Sequence, residues 1–248
     1  MNNPFLLTDK NILVTGASSG IGAAVAVACS KMGADVHITG RNRGRLQEIF
    51  YKLEGDRNKQ TTADLTNAHH IEIITNETVP LDGLVICAGI NDKALVKFIT
   101  EEKIDRIFKI NFFAPVLLIR SLLKRKLFNK GASVVFVSSI SAFYPVVSNA
   151  VYAASKGALN SFFKVMALEV ANNQIRVNAI QPGIIQTNIL QSYDLQDELS
   201  STKALIPLAR FGNTEDVAHA AIYLLSDAAA YVTGSFLTID GGMSLRAY

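Results

Sequence analysis

Tyr152 and Lys156 stand four residues apart in the run Tyr152-Ala-Ala-Ser-Lys156, thirteen residues beyond Ser139. A free phenol titrates near ~10, and a neighbouring ammonium favours its ionised form. A phenol drawn towards neutrality can give a proton to a ketone oxygen or take one from an alcohol. Ser139 offers a hydroxyl to polarise such a carbonyl; Ser138 beside it is either an equal candidate or a strand-end cap. Farther upstream, Pro115 follows Asn111 by four residues. Proline has no N–H, so the Asn111 carbonyl loses its helical partner and can hold a water instead. Each feature is weak alone. Seven tyrosines make one Tyr-x-x-x-Lys spacing an easy coincidence, and Asn111–Pro115 alone reads first as a kink.

A second group of residues points to a dinucleotide. The apolar Ile12-Leu-Val14 runs into Thr15-Gly-Ala-Ser-Ser-Gly-Ile-Gly22, and a helical pattern begins at the last glycines. A helix N-terminus presents backbone N–H groups and a favourable dipole to a phosphate, and glycine allows the close approach. The spacing is G-x-x-x-G-x-G, which departs from the usual G-x-G-x-x-G and also suits compact packing. Where an NAD site generally places a carboxylate, after the second strand, the chain has Gly40 and Arg41, with Arg43 and Arg45 close behind. A guanidinium pairs with a 2′-phosphate that a carboxylate would repel. NADP(H) is therefore favoured over NAD(H), against the simpler reading of Arg41 as a surface charge.

Elements that would position these groups alternate along the chain. Residues 11–15, 35–39, 60–63, 84–88, 133–137, 176–180 and 236–239 read as strands. Residues 21–32, 45–53, 67–78, 101–126, 152–171 and 214–225 read as helices. Several of the strands are nearly all apolar, as expected when helices cover both faces of a parallel sheet. The expected fold is α/β: a single-domain, Rossmann-like, doubly wound parallel sheet of about seven strands, covering 1–248. Residues 186–209 carry no strong period and read as a substrate lid or a plain surface excursion.

Composition narrows the partners. The 248 residues carry a formal net charge of +3, and the longest cationic block is Lys124-Arg125-Lys126. Nucleic acid is not expected as a partner. Cys29 and Cys87 lie in apolar stretches without metal-ligand spacing; they read as buried free thiols, and no metal is expected. The first residues lack the basic and long apolar parts of a signal peptide, and the run 112–119 is too short to span a bilayer. A soluble cytoplasmic protein without a membrane partner is the expectation.

Taken together, the chain resembles the short-chain dehydrogenase/reductase family along essentially its whole length. The likeness rests on an ordered series: Thr15 to Gly22, Asp64-Leu65, Cys87-Ala-Gly89, Asn111, Ser139 with Tyr152-Ala-Ala-Ser-Lys156, and Pro182-Gly-Ile-Ile-Gln-Thr187. The tail Arg210-Phe-Gly212, Val232-Thr-Gly-Ser and Asp240-Gly-Gly-Met243 completes it. The resemblance implies Tyr152 as acid/base, Lys156 lowering its pKa and binding the nicotinamide ribose, Ser139 orienting the carbonyl and Asn111 holding a relay water. It implies Asp64 at the adenine and Ile184 and Thr187 beside the nicotinamide. With the glycine turn and Arg41, the expected cofactor contacts are Gly16, Ser18, Ser19, Gly20, Ile21, Gly22, Arg41, Asp64, Leu65, Ala88, Gly89, Tyr152, Lys156, Pro182, Gly183, Ile184, Ile185 and Thr187. Family members usually pair the two long helices, here 101–126 and 152–171, into homodimers and homotetramers. One departure stands out. The family's usual Asn-Asn-Ala-Gly is here Ile86-Cys-Ala-Gly89, which removes two bracing side chains.

Members with this tail often reduce 3-oxoacyl groups on acyl carrier protein, so that reaction is the leading expectation. An acidic carrier would want cations at the site mouth, where Lys124-Arg125-Lys126 could serve, although Asn172-Asn-Gln174 is neutral. The alternatives are the same chemistry on another small ketone, sugar or cyclic alcohol, and a nucleotide-sensing protein that has lost catalysis.

Overall fold

The computed structural model describes residues 3–187 and 202–245. Seven strands form one parallel sheet: β1 (Asn11–Thr15), β2 (Asp35–Gly40), β3 (Lys59–Thr62), β4 (Leu81–Ile86), β5 (Phe128–Val137), β6 (Arg176–Pro182) and β7 (Phe236–Ile239). Their order across the sheet is β3-β2-β1-β4-β5-β6-β7, so the topology reverses between β1 and β4. Ligands of open α/β sheets bind at such a switch point, beyond the carboxyl ends of the strands.

Helices α1 (Gly20–Lys31), α2 (Arg43–Phe50), α3 (Ala68–Glu77), α4 (Glu101–Phe108), α5 (Ala114–Lys124), α6 (Ala150–Glu169) and α7 (Thr214–Leu225) flank the sheet. The period-2 alternation of a strand divides the core between the two faces. On β1, Ile12 and Val14 pack with α1, α2 and α7, whereas Leu13 packs with α3, α5 and α6. Both faces are covered, which is why β6 is buried at every position.

The single helix expected over 101–126 is instead α4 and α5 joined by a π-turn at Lys109–Phe113. Pro115 cannot donate to the Asn111 carbonyl, and the Ala114 N–H reaches back five residues to Lys109. The wider turn places Asn111 inside, where it is buried.

β5 begins five residues earlier than its apolar run indicates. The Leu81 N–H donates to the Leu127 carbonyl at 2.8 Å, which extends the pairing. Most of the segment expected to act as a lid, 186–209, lies outside the described residues. Among the described residues, no helix is long and apolar enough to cross a membrane. Cys29 and Cys87 are both free thiols.

Candidate active site

The carboxyl ends of β1, β2, β4, β5 and β6 open onto one cleft of about 750 Å³. Every cofactor contact expected from the sequence lines it except Ile184. Ile184 packs instead against Ile140, Ile206 and Met243, while its neighbour Ile185 lines the cleft. Adjacent residues of an extended segment point opposite ways, so only one of the pair can face the cleft.

The glycine turn is shaped by contact as well as conformation. Gly16 has φ +67°, and a Cβ there would come within 2.8 Å of the Ala88 backbone. β1 and β4 therefore approach at a distance no side chain permits. Thr15 ties the same junction: its hydroxyl donates to the Val85 carbonyl at 3.3 Å and accepts from the Cys87 and Ala88 N–H groups at 3.0 and 3.3 Å. Asn111 holds the next peptide. Its Oδ1 accepts from the Ile90 N–H at 2.8 Å, and its Nδ2 donates to the Ile90 carbonyl at 2.9 Å and to Ser155 Oγ at 3.0 Å. These bonds brace the strand end where Ile86-Cys87 replaces the bracing asparagines. The cues for Thr15 were its place before Gly16 and its short hydroxyl.

β5 delivers the two serines, and the structure separates them. Ser138 Oγ turns to Asn160 Oδ1 at 2.7 Å, away from the phenol. Ser139 caps a short turn, its Oγ accepting from the Ser141 N–H at 3.1 Å, and its hydroxyl stands against Tyr152. Ser139→Ala is therefore expected to lower kcat about a hundredfold, and Ser138→Ala by less than about tenfold, in steady-state NADPH oxidation.

α6 places Tyr152 and Lys156 on one face, four residues apart. Lys156 is buried and its ammonium donates to the Val137 carbonyl at 2.9 Å. Burial pushes its pKa down to about 8, with Cys87 acting the other way. Burial also raises the phenol of Tyr152 above its ordinary value; the Ser139 hydroxyl draws it back and Cys87 adds to the rise. The lowered phenol expected from the sequence is thus not the state of this site. The Lys156 ammonium is engaged with the Val137 carbonyl, and burial is the larger influence on the phenol. Burial holds the Cys87 thiol at about 12, against Lys156, so it stands there as a neutral thiol.

At the far end of the cleft, Asp64 faces opposing influences. Burial acts to raise its pKa, but bonds from the Thr66 N–H and hydroxyl, with Arg41 and His70 nearby, hold it below the usual carboxylate range. Arg41 and Arg45 line the same end.

The tripeptide Lys124-Arg125-Lys126 is not at the mouth. It closes α5 and precedes β5, whereas Ser139 lies two residues beyond the last residue of that strand. β5 runs beside β4 from Phe128 opposite Leu81 to Phe136 opposite Ile86, so about 17 Å, at ~3.3 Å per residue of β4, separate the two ends.

The cleft fits a dinucleotide by its donor set and by the glycine approach at residue 16. The family model described as enoyl-(acyl carrier protein) reductase matches residues 16–244. A 3-oxoacyl-(acyl-carrier-protein) reductase of Rickettsia conorii is 34% identical over 237 residues, 96% of this chain and 98% of that protein. An L-xylulose reductase of Caenorhabditis elegans is 34% identical over 251 residues, 96% of each chain. The crystal structure of a putative short-chain alcohol dehydrogenase from Sinorhizobium meliloti superposes with a TM-score of 0.90 at 30% identity, covering 99% of this chain and 100% of that one. The chain is an oxidoreductase belonging to the short-chain dehydrogenase/reductase family, which implies a nicotinamide cofactor.

Proposed function

We propose that the protein is an NADP(H)-dependent carbonyl reductase in which Tyr152 is the acid/base. The observation that carries this reading is the meeting of Ser139, Tyr152 and Lys156 at one end of a dinucleotide-sized cleft whose other end holds Arg41. When bound, the nicotinamide supplies or takes the hydride. Ser139 donates a hydrogen bond to the ketone oxygen, and Tyr152 gives that oxygen its proton, so a ketone becomes a secondary alcohol. Lys156, as the ammonium, stabilises the phenolate left behind and holds the ribose. Asn111 positions the Ile90 peptide and, through its freed carbonyl, a relay water.

Cofactor choice rests on Gly40. A Cβ there would come within 3.0 Å of Ser18 Cβ and 3.1 Å of its Oγ, so a side chain at this position would crowd Ser18 and require it to give by a few tenths of an ångström. Arg41 follows, and its guanidinium suits a 2′-phosphate. Arg41→Ala is expected to cut the kcat/KM preference for NADPH over NADH about 10- to 100-fold. Comparable kcat/KM values with both cofactors, unchanged in the variant, would defeat this assignment.

The substrate class favoured by the named reductases is a 3-oxoacyl thioester. A second reading, a small hydroxylated ketone, is favoured by the basic tripeptide lying at the opposite sheet edge and by the L-xylulose reductase relative. An NADPH-oxidation screen across 3-oxoacyl thioesters, sugars and cyclic or linear ketones separates them. Turnover of none of these would leave a nucleotide-sensing role. The same reading includes self-association through α5, with the π-turn that precedes it, and α6, where the side chains of Phe113, Leu117, Val165 and Leu168 are exposed.

A further inference from the structure

Beyond β4 the chain runs along the cleft as Ala88-Gly-Ile-Asn-Asp-Lys-Ala94, and three residues of this run are pinned from outside it. Asn111 holds the Ile90 peptide from both sides, accepting from its N–H at 2.8 Å and donating to its carbonyl at 2.9 Å. The Asp92 carboxylate accepts from Lys103 Nζ at 2.9 Å and from Arg106, both on α4. The Ala94 N–H donates to the Ser148 carbonyl at 2.8 Å, just before α6 begins.

Asn91 stands between the first two of these pins. It lines the cleft and is exposed, and its side-chain amide has no hydrogen-bond partner among the described residues. Whichever way the amide is turned, a donor and an acceptor are both open. Its neighbours fix which end of the cleft it serves. A Cβ at Gly89 would come within 3.5 Å of Lys156 Nζ. Asn91 lies two residues farther along, at most about 7 Å of chain. β4 also borders β5, the strand that leads to Ser139, whereas Arg41 and Asp64 follow β2 and β3 on the other side. Asn91 therefore belongs to the end where Ser139, Tyr152 and Lys156 meet. A loop ordered by folding has little freedom left to lose on binding, so a hydrogen bond from it keeps more of its strength.

We propose that Asn91 is a specificity-determining residue whose amide bonds a second oxygen of the substrate, so that the preferred ketone carries a hydroxyl or carbonyl one or two carbons from the reacting one. The inference rests on the carbonyl-reductase reading and narrows its substrate. Nδ2 donates to an oxygen of either kind, and Oδ1 accepts from a hydroxyl. A ketone with only a hydrocarbon chain leaves the amide to water and gains nothing from it.

The test uses the full-length protein, NADPH and two substrate pairs in which hydrocarbon replaces the second oxygen: hydroxyacetone against butanone, and ethyl acetoacetate against methyl pentyl ketone. The readout is the ratio of kcat/KM values within each pair, compared between wild type and variant, so that the intrinsic reactivity of each ketone cancels. Asn91→Ala is expected to lower the ratio about five- to tenfold in at least one pair, the loss of one hydrogen bond. Asn91→Asp keeps the size and the acceptor but has no donor. It should lose the preference for ethyl acetoacetate if a carbonyl is bound, and keep that for hydroxyacetone if Oδ1 holds a hydroxyl. Because Asn91 makes no bond within the fold, the Tm of Asn91→Ala should match the wild type. Ratios within about twofold of wild type in both pairs for Asn91→Ala overturn the inference. A raised KM for NADPH with the ratios unmoved also overturns it, since the amide then touches the cofactor. Either result leaves the reductase reading intact; no NADPH oxidation with any of these ketones or with 3-oxoacyl thioesters defeats both.

Discussion

Replacing Tyr152 with phenylalanine is expected to lower kcat about a thousandfold, with NADPH affinity changed by no more than a few-fold. The ring fills the same space, so the cleft and the α6 face are kept. What is lost is the one proton placed beside Ser139 at the cleft end where a ketone oxygen would sit. Stability should fall only slightly, because Ser139 Oγ retains its bond from the Ser141 N–H. Steady-state NADPH oxidation and a fluorescence titration of NADPH binding check the two halves separately. Unchanged turnover in this variant would remove the catalytic assignment and leave a nucleotide-binding protein.

Lys156→Met is expected to cost about a hundredfold or more in kcat while leaving stability at neutral pH close to that of the wild type. Burial lowers this ammonium from 10.5 to about 8, so holding it charged opposes folding by roughly 3 kcal/mol. Methionine removes that cost and leaves the Val137 carbonyl without its donor, which costs ~1–3 kcal/mol. The pH dependence has a definite sign. Between pH 8 and 10.5 the folded protein has released the proton and the unfolded chain still binds it. Wild-type stability should therefore rise relative to Lys156→Met across that window. Activity should move the opposite way: kcat/KM falls as pH rises through about 8, because the neutral amine no longer stabilises the phenolate. Denaturant titrations at stepped pH and a pH–rate profile measure both. A wild-type rate flat to pH 10 would show that the charge on Lys156 is not needed.

Local patterns carried much of this site. The Tyr152–Lys156 spacing needs only a helix to put both groups on one face, and α6 supplies it. The glycine turn needs only a strand followed by a helix, which β1 and α1 provide. Pro115 marked Asn111 through a missing N–H, although the outcome was a π-turn with the Asn111 amide clamped on Ile90. Other features had no local signal. Ser138 and Ser139 are chemically identical neighbours, and only Asn160, on a helix packed against β5, draws one of them away. The basic tripeptide looked suited to an acidic carrier until the direction of α5 and β5 placed it at the far edge of the sheet.

The sequence by itself determined the alternation of strands and helices, the parallel sheet and the residue types able to move a proton beside a dinucleotide. These follow from periodicity, backbone sterics and functional-group chemistry, which act over a few residues. Only the tertiary structure decided which serine faces the phenol and that burial dominates in setting the Tyr152 pKa. Those outcomes depend on burial and on partners distant along the chain. Asn111 finds Ile90 across 21 residues and Ser155 across 44, and no spacing rule reaches that far.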